Sequence, residues 1–384
     1  MLGEFVKFVR EMYGTTDFIP LHEPKFLGNE KEYVLDTIES TFVSSVGSYV
    51  DRFENDIVKF TGAKYAVATV NGTAALHIAL KLAGVAAGDE VITQSLTFVA
   101  TCNVIRYCGA EPIFVDVDLN TLGLSPDSLQ DFLDEYCEIR DDGNCWNKTT
   151  NNIVRACMPM HTFGFPAQLD EIKAICQTYN IVLVEDAAES LGSKYKQQHT
   201  GTIGKLAALS FNGNKIITAG GGGVVLTNDD VLAAHAKHIT TTAKSPHKWK
   251  FVHDEIGYNY RMPNLNAALA VAQLEMLPDF IESKRRLALR YQEWGLNNNL
   301  EFFCEPEHTK SNYWLNTVIT NNNDEQLAML EYTNNHGVMT RPVWMPMHKL
   351  PMNSECLSIE LNNTEWLVKI IICKLQYLYQ ARDN

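Results

Sequence analysis

Short apolar runs alternate with helical stretches along the first half of this chain, and that alternation limits the fold more than any other feature. Tyr65–Val70 precedes a helical Ala74–Ala83, Glu90–Gln94 precedes Val99–Tyr107, and Pro112–Asp116 precedes Pro126–Tyr136. Asn180–Glu185 adds a further strand-like run. Strands joined through helices build a mostly parallel sheet covered on both faces, so an α/β fold is expected. A helical stretch rich in Ala, Leu, Glu and Arg, Asn266–Trp294, follows Met262–Pro263, and strand-like Tyr313–Thr320 and Val338–Thr340 come after it. These predict a smaller C-terminal α/β unit. The expected division is an N-terminal helical extension over 1–24, a large domain over 25–263 and a small domain over 264–384.

Charge narrows the ligand classes. The 46 acidic residues outnumber the 32 basic ones and leave a formal charge of −14. Such a surface repels phosphate at long range, so neither nucleic acid nor an anionic membrane is an expected partner. Any ligand phosphate must be held by local geometry. No apolar run approaches the roughly 20 residues that span a bilayer, and Met1–Arg10 alternates charge with apolar side chains, unlike a signal peptide. A soluble cytoplasmic protein is expected. The nine cysteines are odd in number and never spaced Cys-x-x-Cys, which suits reduced, mostly buried thiols.

Five motifs carry chemistry. Asn71-Gly72-Thr73-Ala74-Ala75 is a small-residue turn opening a helix, where free backbone N–H groups suit a phosphate or Thr73 simply caps the helix. Leu183-Val184-Glu185-Asp186-Ala187-Ala188-Glu189 is an apolar strand ending in carboxylates, placed either to meet a ligand cation or to cap the next segment. In Leu209-Ser210-Phe211-Asn212-Gly213-Asn214-Lys215 a lysine follows a short strand on a Gly/Asn-rich turn, a candidate amine nucleophile. Gly220–Gly223 follow it, implying flexible backbone or the close approach of another chain, but not in the spacing of a dinucleotide or triphosphate loop. Phe98, at a strand-to-helix junction, is either core or a face for a flat ring. Gly257-Tyr258-Asn259-Tyr260-Arg261-Met262-Pro263 packs polar and aromatic residues beside a helix start and alone could be a structured turn.

Taken together they offer a phosphate cradle, a stacking face, a carboxylate for a ring cation and a lysine amine. That inventory matches pyridoxal phosphate, whose ring nitrogen must stay protonated and whose aldehyde must meet a lysine.

The same residues resemble the pyridoxal-phosphate sugar aminotransferases of the DegT/DnrJ/EryC type across about residues 20–350. The markers are Ser210-Phe211-x-x-x-Lys215, Glu185-Asp186-Ala187-Ala188, Gly257-Tyr258-Asn259-Tyr260-Arg261-Met262 and Thr340-Arg341-Pro342. Asn212-Gly213-Asn214-Lys215-Ile216-Ile217-Thr218 with Glu189, and Arg341-Pro342-Val343-Trp344 with His348, resemble the branch that aminates C4 of UDP-4-keto-6-deoxy-N-acetylhexosamines for bacillosamine and legionaminic-acid glycans. The resemblance implies an aspartate-aminotransferase-like fold with pyridoxal 5′-phosphate bonded to Lys215. Asp186 would partner the ring nitrogen, Phe98 would stack on the ring, and Glu189 would lie near the ring hydroxyl. Gly72, Thr73, Ala74 and Ser210 would hold the phosphate. Asn259 would reach the phosphate of a neighbouring subunit, so a homodimer with shared sites is implied, with glutamate and the UDP-sugar as substrates. His161, Arg261, Arg341 and His348 would lie on the sugar side.

The chain departs from the branch after Thr364-Glu365-Trp366-Leu367, where Val368–Tyr377 stands in place of a family-like closing strand and Pro-Ser-Ser turn. A rebuilt end of the small domain is the expectation there. Three rivals remain: a C3-keto aminotransferase, a dehydratase of the same fold, and a non-catalytic sugar-binding regulator. The dehydratases carry His where Lys215 stands. A zinc hydrolase built on His235 and His238 is weaker, since the region, with His247 and His253, has no cysteine pair, and no metal is expected.

Overall fold

The computed structural model describes residues 1–374. Its centre is a seven-stranded sheet of β1 (Tyr65–Thr69), β2 (Glu90–Gln94), β3 (Glu111–Val115), β4 (Val154–Cys157), β5 (Val182–Asp186), β6 (Leu206–Ser210) and β7 (Gly223–Thr227). The strands lie in the order β1-β7-β6-β5-β4-β2-β3. All neighbours from β6 to β3 are parallel, whereas β7 runs antiparallel to both β1 and β6.

Both faces of this sheet are buried, which is why its strands read as nearly continuous apolar runs. On β6, Ala207 and Leu209 face a cluster with Phe53, Phe211 and Val271, while Leu206 and Ala208 face another with Leu76, Ile78 and Val104. Several helix starts follow from capping. Asn71 accepts a hydrogen bond from the Ala74 N–H at 2.7 Å and so sets the start of the helix Gly72–Leu82; Ser125 caps Pro126–Tyr136 in the same way at 3.2 Å.

The helix Asn264–Asn298 ties the two parts of the molecule together. Its first half packs Ala267, Ala270, Val271 and Leu274 into the core of the large sheet. Past Pro278, Leu287 and Tyr291 pack instead with Phe5 and Val9 of the N-terminal helix Leu2–Tyr13. The N-terminal helix therefore shares a core with Phe302, Val318 and Ile372 of the small sheet. The small sheet orders Glu301–Phe302, Asn316–Ile319, Ile371–Lys374 and Thr340–Pro342, all antiparallel. Ile371–Lys374 is an internal strand there, so an apolar closing strand is present; the rest of the atypical tail, 375–384, lies outside the described residues.

The expected strands and helices appear with their ends shifted by a few residues. Neither the parallel β4 nor the antiparallel β7 was among the expectations. Gly223 of β7 shows what the glycine run is for: a Cβ there would come 2.3 Å from the Asn71 carbonyl oxygen, so the backbone closes directly onto the turn that opens the Gly72 helix. All nine cysteines are free thiols; Cys304 is exposed, Cys356 is half-buried and the rest are buried. Among the described residues no helix is long and apolar enough to cross a membrane.

Candidate active site

The carboxyl ends of β5 and β6 and the start of the Gly72 helix converge on a cavity of about 340 Å³. Open α/β sheets bind ligands at this edge. Gly72, Thr73, Phe98, Asp186, Glu189, Ser210 and Lys215 all line it, so seven residues from four motifs meet in one place.

At one end lies a cradle for an anion. Gly72 and Thr73 open the helix, and first-turn amides have no intrahelical acceptor. A Cβ on Gly72 would stand 2.7 Å from Cβ of Ser210, so only glycine lets β6 close against the helix start. Ala74 is a correction to the expected phosphate set. Its amide is already committed to Asn71 Oδ1. Asn71, not Thr73, caps the helix.

Asp186 lies at the end of β5, 2% exposed. Its Oδ2 accepts from the Thr101 hydroxyl at 2.8 Å and its Oδ1 from the Ala188 N–H at 3.2 Å. Burial pushes this carboxyl above its ordinary value against the pull of those donors and of the Lys215 charge. Among the described residues no cation lies within ion-pair distance of Asp186. A buried acid in that state is ready for a cationic ligand atom.

Lys215 Nζ lies 3.2 Å from Glu189 Oε1 and 4.3 Å from the centre of the Trp314 ring. Glu189 Oε2 accepts the Phe163 N–H at 2.9 Å. Burial raises the Glu189 carboxyl to about 7, opposed chiefly by the Lys215 charge. A lysine amine therefore faces a carboxyl that exchanges its proton near neutrality. The Trp314 indole N–H donates to the Asn214 carbonyl at 2.8 Å, and Asn312 bonds both the Trp314 N–H and the Glu189 carbonyl, fixing the lysine turn against the small domain.

Phe98 is 47% exposed, which decides against a core role. It lies at the cavity mouth with its ring centre 6.2 Å from that of Trp344. Trp314 and Trp344 were not among the sequence candidates, nor was Thr101.

The sugar-side expectations fare differently. His161 is fully buried with both ring nitrogens occupied: Nδ1 accepts the Ala167 N–H at 3.2 Å, which places the proton on Nε2, facing Glu185 Oε2 at 3.1 Å. It does not line the cavity. Glu185 also receives the N–H groups of Gly201, Ile203 and Gly204; burial alone would raise it, but His161 and these amides hold it below the usual carboxylate range. His161 is thus corrected from the sugar pocket to the packing behind β5. His348 is likewise committed, with Nδ1 2.7 Å from Ser95 Oγ and Nε2 3.0 Å from Glu365, and it links the two domains outside the cavity lining. Arg341 is exposed and bonds Asn334 and the Thr340 carbonyl, away from the cavity. Arg261 lies 4.0 Å from Asp51, and its buried Nε has no hydrogen-bond partner. Asn259 is exposed and does not line its own chain's cavity.

Comparison with known proteins decides the family. The model of the DegT/DnrJ/EryC1/StrS aminotransferase family matches residues 25–376. The chain belongs to this family. It is 38% identical over 338 residues to GDP-perosamine synthase of Escherichia coli O157:H7, covering 88% of each chain. It is 34% identical over 336 residues to GDP-perosamine synthase of Vibrio cholerae, covering 87% of each. A crystal structure of a family aminotransferase from Brucella abortus superposes with a TM-score of 0.82 at 26% identity, over 92% of this chain and 91% of that one. The protein is a pyridoxal-phosphate-dependent sugar aminotransferase. The cavity suits that cofactor on its own geometry. Gly72, Thr73 and Ser210 would hold its phosphate, Asp186 its ring nitrogen, Phe98 its face and Lys215 its aldehyde.

Proposed function

We propose that the enzyme moves an amino group from glutamate to the C4 keto group of a UDP-linked 4-keto-6-deoxy-N-acetylhexosamine in the cytoplasm, yielding a 4-amino-4,6-dideoxy sugar for a surface glycan. The pairing of Lys215 Nζ with Glu189 at 3.2 Å, beside the buried Asp186, carries the transamination half of this reading. The UDP-N-acetylhexosamine half is supported by the resemblance of the lysine turn Asn212–Thr218 and of Arg341–Trp344 to that branch. The relatives named GDP-perosamine synthases supply the second reading, a GDP-linked sugar.

When bound, pyridoxal phosphate supplies an electron sink for the bond-breaking at carbon. Lys215 Nζ removes the Cα proton of the amino donor in one half-reaction and returns a proton to C4 of the sugar in the other, so one amine serves as base and acid. Glu189, raised to about 7, takes up or gives back the proton that Lys215 carries. Asp186, itself held by the Thr101 hydroxyl, would keep the cofactor's ring nitrogen protonated. Trp314 and Trp344 line the cavity with Lys215, and the Trp314 ring covers one side of its amine.

The reading includes a homodimer in which Asn259 completes the partner's phosphate site. Its support is that Asn259 is exposed and outside its own cavity, close in sequence to Trp249, Phe251 and Ile256, each more than two-thirds exposed. The test is turnover with glutamate and either a UDP-linked 4-keto-6-deoxy-N-acetylhexosamine or a GDP-linked 4-keto-6-deoxyhexose. Amination of the UDP sugar at C4, seen by NMR of the product, is expected. Preference for the GDP sugar, or amination at C3, would replace the substrate named here.

A further inference from the structure

We propose a second ligand site, for a divalent transition metal with Zn2+ foremost, formed by His238, Asp254 and Glu255 outside the catalytic cavity, with His235 supporting Glu255. The two histidines are three residues apart on the helix Asp230–Thr240 and so share one face. After that helix the chain makes an excursion closed by an antiparallel bridge between Lys244 and His253 and by a 2.8 Å hydrogen bond from the Ser245 N–H to the Val252 carbonyl. The excursion delivers Asp254 and Glu255 back to the histidine face.

His235 Nε2 lies 3.0 Å from both oxygens of Glu255. His238 Nε2 lies 2.6 Å from Asp254 Oδ1 and 3.7 Å from Glu255 Oε1. One donor atom each from His238, Asp254 and Glu255 falls within 4.8 Å of the others. Bonds of about 2.0–2.2 Å to zinc put tetrahedral ligands about 3.3–3.5 Å apart, so small side-chain shifts would admit the ion. One imidazole nitrogen with two carboxylate oxygens is a mixed donor set that zinc and its neighbours favour over the oxygen-only sets of calcium and magnesium.

Glu255 is approached from two sides, and the two carboxylates concentrate negative charge that a dication would offset. None of the four residues lines the catalytic cavity. A bound ion would clamp the base of the excursion, which carries exposed Trp249 and Phe251 and leads into Tyr258 and Asn259.

The experiment is calorimetric titration of chelator-treated, full-length protein with Zn2+, joined to amide exchange of residues 244–257 with and without the ion. One ion per chain is expected, with Kd of about 1 μM or tighter, weaker than structural zinc sites because these ligands are exposed. His238→Ala and the near-isosteric Glu255→Gln should each weaken it by at least about tenfold, as loss of a ligand must cost no less than loss of its supporting contact. Exchange over 244–257 should slow on binding in the wild type alone. Uptake only at millimolar Zn2+, or equal uptake by wild type and both variants, would overturn the site.

Discussion

Glu189 is the residue whose chemistry is most exposed to test by pH. Its carboxyl is raised from 4.5 to about 7, so the folded state holds a proton that the unfolded state has released across that interval. Stability contributed by that proton is present at low pH and is lost as pH rises through the interval. Glu189→Gln removes the dependence. Denaturant unfolding of the cofactor-free variant should therefore gain on the wild type between pH 5 and pH 8, by up to about 3 kcal/mol before the lost Lys215 contact is subtracted. A constant difference across that range would show that Glu189 titrates normally. The same substitution should slow turnover by about 10²-fold or more if proton exchange with Lys215 matters.

Residue identities at this site were legible where one motif carried both the side chain and its position. Lys215 follows a strand on a Gly/Asn turn, and Asp186 ends an apolar strand, so topology alone brought both to one edge. His161 lacked such a signal. Nothing near it in sequence shows that Glu185 and the Ala167 N–H occupy its ring. Trp314 and Trp344 come from the small domain, about a hundred residues or more beyond Lys215, and only the folding of one domain onto the other makes them neighbours of the lysine.

Among the elements, the Gly72 helix has the largest share in the site because its first turn is also the anion cradle. Asn71→Ala should cost about 1 kcal/mol in thermal or chemical unfolding through the lost cap on Ala74. It should also weaken cofactor retention in dialysis, since the Gly72 and Thr73 amides are aimed by that cap. Unchanged retention with the stability loss present would separate the cap from the cradle. Most parallel strands were readable because both of their faces are buried, but the four-residue β4 was too short a run to be read. Strand β7 was not readable, because its entry is a run of glycines whose purpose is contact with Asn71, a residue some 150 positions earlier. The helix Asn264–Asn298 was expected from its composition, but composition does not show that its two halves serve different cores.

On the scale of the whole molecule, the two domains meet through specific polar anchors. His348 links Ser95 to Glu365, and Asp116 accepts the Asn363 N–H at 2.7 Å and the Thr364 N–H at 2.8 Å at the start of the helix Asn362–Leu367. Trp314 itself is held beside Lys215 by its backbone bond to Asn312 and its indole bond to the Asn214 carbonyl. If the active sites are shared between subunits, mixing inactive Lys215→Ala protein with Asn259→Ala protein under subunit exchange should restore activity to a fraction of the mixed dimers. No recovery, with exchange shown by mass, would confine Asn259 to its own chain.

The measurement that tests the central claim most directly is the absorbance spectrum of the purified protein loaded with pyridoxal phosphate, with and without glutamate, in wild type and Lys215→Ala. The wild type should show the visible band of a lysine-bound cofactor and lose it to a near-ultraviolet band when glutamate is added, as an amino group passes to the cofactor. Lys215→Ala should keep its fold and lose catalytic conversion by more than about 10³-fold. A wild-type spectrum that glutamate leaves unchanged would rule out glutamate as the donor, and equal conversion by both proteins would contradict Lys215 as the residue that carries the reaction.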